Sequence, residues 1–126
     1  MSRIRFDIIT LFPRMFDSYL NESIIKRARE KKILDIRIYD LRSFAKDKHH
    51  KVDDRPYGGG PGMVIRADVL AQAIASLKIK HRDKKTKIIL FAASGKQFLQ
   101  IQARTWAKKY DRIVMIAGRY EGIDER

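Results

Sequence analysis

Two uninterrupted apolar runs constrain this chain most: Ile88-Ile89-Leu90-Phe91-Ala92-Ala93 and Ile113-Val114-Met115-Ile116-Ala117. A half-exposed strand alternates apolar and polar residues, so a run without a polar member is expected in a sheet covered on both faces. Each run ends in a glycine-bearing turn, Ser94-Gly95 after the first and Gly118-Arg119-Tyr120-Glu121-Gly122 after the second. Two further strands come earlier. Ile4, Phe6 and Ile8 alternate with Arg5 and Asp7 before Ile9 and Leu11, and Leu34, Ile36 and Ile38 share one face of a strand over 33–41.

Helical spacing fills the gaps. Pro13 suits a first helical turn, and Met15, Phe16, Tyr19 and Leu20 form a predicted core-facing stripe. Ser23 is the predicted cap of a second helix, with Ile24, Ile25 and Ala28 inside and Lys26, Arg27, Arg29 and Lys31 outside. Ala67, Leu70, Ala71, Ile74 and Leu77 mark a third helix beginning near Arg66. Phe98, Leu99, Ile101, Gln102 and Trp106 mark a fourth, with Trp106 placed in the core. Strands separated by helices predict an α/β domain: a parallel sheet flanked by helices, with right-handed crossovers. A ligand of such a sheet sits beyond the carboxyl ends of its strands, where segments 92–95 and 118–122 fall.

The second organising stretch is Val52-Asp53-Asp54-Arg55-Pro56-Tyr57-Gly58-Gly59-Gly60-Pro61-Gly62-Met63. Glycines remove side chains along most of it, which lets the backbone approach a ligand closely. Pro56 and Pro61 restrict the chain on either side of the triple glycine. A flexible linker would be Ser-rich and lack the aromatic. An acidic pair and an arginine beside bare backbone favour a site for a polar ligand.

Length suits one domain with one modest core: the chain has 126 residues. Lys and Arg number 28 against 15 Asp and Glu, a net charge of +13. Such a balance points to a polyanionic partner, nucleic acid before an anionic membrane. There is no cysteine, which excludes disulfides and thiolate chemistry and fits a cytoplasmic protein. No apolar run approaches the ~20 residues of a membrane helix, so no membrane partner is expected. His49 and His50 are adjacent and do not readily share one metal, so no metal site is assigned to them. The cofactor fingerprints fail as well. No Gly-x-Gly-x-x-Gly joins a strand to a helix, and Gly95-Lys96 lacks both the earlier glycine and the following Ser or Thr of a phosphate loop. There is no Gly-x-Ser-x-Gly elbow.

Three segments in order, Leu11-Phe12-Pro13, 52–63 and 118–126, resemble the bacterial tRNA (guanine-N1) methyltransferase family of the SPOUT superfamily. The resemblance implies methylation of guanine N1 in tRNA, just 3′ of the anticodon, by S-adenosylmethionine. It implies a trefoil knot at the carboxyl edge and an antiparallel homodimer. By the family pattern Leu90, Phe91, Ala92, Ala93, Gly118, Tyr120 and Gly122 hold the cofactor. Glu121 and Arg119 become the catalytic candidates, Glu121 assisting the base or holding a magnesium ion and Arg119 offsetting negative charge. Asp53, Arg55, Tyr57, Gly58, Gly59, Gly60 and Gly62 hold the tRNA or close over the guanine. One departure stands out: the family's Ser-Pro is replaced by Ala92-Ala93-Ser94-Gly95, which removes a stiffening ring and weakens the assignment of Ala93. The family's aspartate base, its second glycine loop and its helical tRNA-gripping domain lie beyond residue 126. The expectation is therefore an amino-terminal part of the domain, truncated before the knot is complete and inactive alone. The competing expectation is a basic α/β module that holds RNA without chemistry. A nucleotide-binding regulatory domain is the weaker third reading, for want of a phosphate motif.

Overall fold

A computed structural model describes residues 3–45, 67–79, 85–91 and 96–117 in full, and the backbone at 53–54 and 64–65. Strand β1 (Ile4–Thr10) leads through a 3₁₀ turn at Pro13–Phe16 into the short helix α1 (Asp17–Leu20) and then α2 (Ser23–Glu30). Strand β2 (Leu34–Asp40) follows, then a second 3₁₀ turn at Leu41–Phe44. Two short strands, β3 (Asp53–Asp54) and β4 (Val64–Ile65), precede helix α3 (Ala67–Ser76). Strand β5 (Thr86–Phe91), helix α4 (Gln100–Lys109) and strand β6 (Arg112–Ala117) complete the order.

The main sheet has the order β2-β1-β6-β5, and all three pairings are parallel. The predicted parallel α/β architecture is therefore present. β1 and β6 are central, and in the apolar run Ile113-Val114-Met115-Ile116 the buried residues Ile113, Val114 and Ile116 lie on both faces of β6. Ile9, Leu11, Val114 and Ile116 meet Val69, Ala73 and Leu77 at α3, and Leu41 and Ala45 beside them. Ile9, Leu11, Leu41 and Val114 are fully buried, each worth about 1.5–3 kcal/mol relative to exposure.

Several predicted orientations are corrected. The other apolar run, β5, lies at the edge of the sheet, and the expected cover on both faces is not found there: Ile88, Leu90 and Phe91 are exposed. Met15 and Tyr19 are 70% and 72% exposed, because the 3₁₀ turn has three residues per turn and shifts the stripe before α1 begins. Only Leu20 of that stripe is buried. Ser23 does not cap α2; Glu22 holds the cap position without a side-chain bond, and Ser23 has φ 54°. Ile24 faces solvent. On α3 the buried positions are Val69 and Ala73, while Ala71 is exposed. Trp106 is half-buried rather than in the core. It stacks on Phe98 at 5.3 Å between ring centroids, with the Lys87 ammonium 5.2 Å from its ring centroid. Replacing Ile24 by Lys is accordingly expected to change unfolding free energy by less than about 0.5 kcal/mol in a denaturant melt. A loss of about 2 kcal/mol would return Ile24 to the core.

Asp7, a polar member of the alternation in β1, is buried completely. Asp7 shares the α3-facing side of the sheet with Ile9, since β1 is covered on both faces. Arg112 Nε donates to its Oδ2 at 2.7 Å, Arg5 to Oδ1 at 3.0 Å and the Tyr39 hydroxyl to Oδ1 at 2.9 Å. Arg112 also donates to the Leu77 carbonyl just past α3 at 3.0 Å, where helix-terminal carbonyls need partners. Burial alone would raise the Asp7 pKa, but the hydrogen bonds from Arg112, Arg5 and Tyr39 outweigh it and hold it below the ordinary carboxylate value.

Candidate active site

Parallel pairing brings three strand ends to one edge. Thr10 of β1 lies opposite Ala117 of β6, and Ala117 lies opposite Phe91 of β5. Phe91 and Ala117 each stand one peptide bond before a candidate cofactor segment. Neighbouring strands run about 4.8 Å apart, so the two segments start from adjacent positions. Leu90 and Phe91 are 51% and 52% exposed there, apolar surface in the open at the end of an edge strand.

Beside them is a cavity of about 290 Å³, lined by Thr10, Leu11, Phe12, Met15, Phe16, Tyr19 and Ala117. The segment Leu11-Phe12-Pro13 shapes it. Thr10 is buried, and its Oγ1 accepts from the Phe12 amide at 3.0 Å, turning the chain as it leaves β1. Arg42 donates to the Leu11 carbonyl at 2.7 Å, and its guanidinium lies 5.8 Å from the Phe12 ring centroid. The Asp40 carboxylate at the end of β2 accepts from the Arg42 amide at 3.0 Å and so fixes the turn that carries Arg42. A mostly apolar hollow with few polar groups at the carboxyl edge of a parallel sheet is the usual form of a small-molecule site. Met15 and Tyr19, the exposed members of the predicted core stripe, stand in its wall.

Of the predicted site residues, Leu90 and Phe91 are therefore at this edge. Asp53 pairs with Ile65 and Asp54 with Val64 in an antiparallel ladder that brackets the glycine stretch. Arg55, Tyr57, Gly58, Gly59, Gly60, Gly62, Ala92, Ala93, Gly118, Arg119, Tyr120, Glu121 and Gly122 lie outside the described residues. Among the described residues no three His, Cys, Asp or Glu side chains gather as metal ligands, and no helix is long and apolar enough to cross a membrane. Thr10 and Arg42 were missed by the sequence reading. Thr10 ends an apolar strand on a hydroxyl just before Phe12-Pro13, a signal that was available; Arg42 left none.

Comparison with known proteins agrees with this architecture. A tRNA (guanine-N(1)-)-methyltransferase of Geobacter metallireducens is 46% identical over 123 residues, which cover 98% of this chain and 49% of the relative. One of Thermomicrobium roseum is also 46% identical, over 98% of this chain and 45% of its own length. The chain thus spans about half the length of these curated relatives. The crystal structure of a tRNA (m1G37) methyltransferase from Aquifex aeolicus superposes with a TM-score of 0.82 at 34% identity, over 99% of this chain and 55% of that one. The profile of the tRNA (Guanine-1)-methyltransferase TrmD family matches residues 4–126, and with the parallel sheet and its open carboxyl edge in place, the chain belongs to that family.

Proposed function

We propose that this chain is the cofactor-binding part of an enzyme that methylates N1 of a guanine in tRNA, next to the anticodon on its 3′ side. The observation that carries the reading is the register Thr10–Ala117–Phe91, which starts the segments 92–95 and 118–122 from neighbouring strands of one edge. Bound S-adenosylmethionine supplies an electrophilic methyl group. Leu90, Phe91, Ala92 and Ala93 on one side and Gly118, Tyr120 and Gly122 on the other hold it. The exposed apolar faces of Leu90 and Phe91 fit a neutral purine wall, and glycine lets backbone amides reach polar atoms of a ligand.

The target nitrogen carries a proton, so the site has to remove it while charge builds on the guanine oxygen. Arg119 offsets that charge, and a preorganised cation at a dry site does so without reorganisation. Glu121 assists proton removal or holds a magnesium ion. A chelator separates the two roles: transfer that survives metal removal assigns Glu121 to the proton. Asp53, Arg55, Tyr57, Gly58, Gly59, Gly60 and Gly62 position the RNA. The general base of this reading is an aspartate that the family carries outside the matched half. The active species is accordingly the intact protein, cytoplasmic, homodimeric and knotted, and residues 1–126 alone transfer little methyl.

The test is transfer of labelled methyl from S-adenosylmethionine to a tRNA transcript by the intact protein. Label is expected at N1 of the guanine 3′ of the anticodon and is expected to vanish when that base is adenine. Salt-sensitive RNA binding with no transfer would leave the RNA-holding module as the correct reading.

A further inference from the structure

A second hollow lies away from the carboxyl edge. A cavity of about 420 Å³ lies at the amino-terminal end of β2, between that strand and the last turn of α2. With seven residues in β2 at about 3.3 Å each, it sits roughly 20 Å from the strand ends that carry the candidate active site. Its lining includes Arg3, Lys26, Arg29 and Lys32 against Asp35 and Glu30.

The ion pairs sort these groups. Asp35 is matched by Arg3 at 3.2 Å and Arg37 at 3.0 Å. Arg29 is spent on the Leu20 carbonyl at 3.0 Å and the Asn21 side chain at 3.1 Å. Lys26 and Lys32 make no salt bridge among the described residues, and Glu30 does not pair with Lys26 although it lies one helical turn along.

Lys32 carries a second, independent mark. Ile33 N–H donates to the Ala28 carbonyl at 2.9 Å and Lys32 N–H to the Arg29 carbonyl at 3.0 Å. That pair of bonds is the Schellman closure of a helix, which puts Lys32 at the position normally held by glycine. Its φ is 61°, a conformation that costs a residue with a Cβ roughly 1 kcal/mol. A cation thus stands where glycine is the more stable choice, at the mouth of a cavity with another ammonium that is unpaired among the described residues. Attraction to the negative helix end accounts for some of this, but a helix end does not need the cavity.

We infer that this cavity grips backbone phosphates of the same RNA whose base is presented at the carboxyl edge, with Lys26 and Lys32 as the contacting cations. The inference rests on the proposed function for the identity of the RNA. Lysine acts on phosphate as a point charge and needs no fixed fork. A short A-form RNA stem bridges the ~20 Å between the two places.

The test uses the intact protein, a tRNA transcript and the variants Lys26→Gln and Lys32→Gly, with binding followed from about 50 to 200 mM salt. Each variant is expected to weaken tRNA binding several-fold and to lower the slope of log K against log salt by about 0.7–0.9. S-adenosylmethionine binding and kcat at saturating tRNA are expected to be unchanged. Lys32→Gly is expected to melt at the same temperature as the parent or higher, so weaker binding there is not a folding defect. Wild-type tRNA affinity and salt slope in both variants would overturn the assignment. So would a loss of binding to anionic phospholipid vesicles with tRNA binding intact. Failure of the parent protein to methylate tRNA overturns the proposed function instead, and the binding slopes still decide the cavity.

Discussion

Asp7→Asn is expected to lower unfolding free energy by about 3–5 kcal/mol, measured by denaturant melts near neutral pH. The substitution leaves Arg112, Arg5 and Tyr39 aimed at a neutral amide in a fully buried position. It also loosens the link from β1 through Arg112 to the end of α3. The pH dependence gives the sign. The folded pKa of Asp7 lies below its unfolded value, so its ionisation stabilises the fold above the unfolded pKa of about 3.9 and that contribution drains away as pH falls through the lower folded value. The gap between parent and variant is therefore expected to be full at neutral pH and to close in acid. A gap that stays constant down to low pH would mean the carboxylate charge is not what the cluster uses. If Asp7→Asn fails to fold, Tyr39→Phe removes one donor and is expected to cost about 1 kcal/mol.

The other large effect is catalytic. In the intact protein Glu121→Ala is expected to reduce kcat by about 10²–10⁴-fold, the usual worth of a positioned proton-transfer group, while the Kd for tRNA stays close to that of the parent. Single-turnover methyl transfer separates chemistry from product release. Unchanged turnover would remove Glu121 from the site, and a loss of tRNA affinity without a change in kcat would make it a binding residue. Arg119→Lys is a useful companion, since the charge stays and the planar fork goes.

Most of the strand framework was legible because apolar runs rich in β-branched residues, such as Ile113-Val114-Met115-Ile116, have few other uses. Their order across the sheet was not, so nothing revealed that Ile88, Leu90 and Phe91 belong to an edge strand. Local spacing failed at Met15 and Tyr19 because a 3₁₀ turn has a different period from the α-helix assumed. The burial of Asp7 was not legible because its counter-ions come from Arg112, 105 residues away, as well as from the neighbouring Arg5. A buried carboxylate is intelligible only with its partners. The candidate site was read through family resemblance in the glycine-rich turns, which periodicity does not interpret. The cavity beside Thr10 and Phe12 depends on how Arg42 folds back onto Leu11, a contact separated by 31 residues.

The order β2-β1-β6-β5 puts β6 between β1 and β5, both of them made before it. Among the described strands, β1 has one flank without a partner and β5 has no neighbour in the main sheet until residues 112–117 emerge during synthesis. Such long-range closure makes folding slow, and a nascent chain with open apolar ladders is exposed to aggregation while it waits. Pairing across this part of the sheet therefore waits on the arrival of a single segment, Arg112–Ala117.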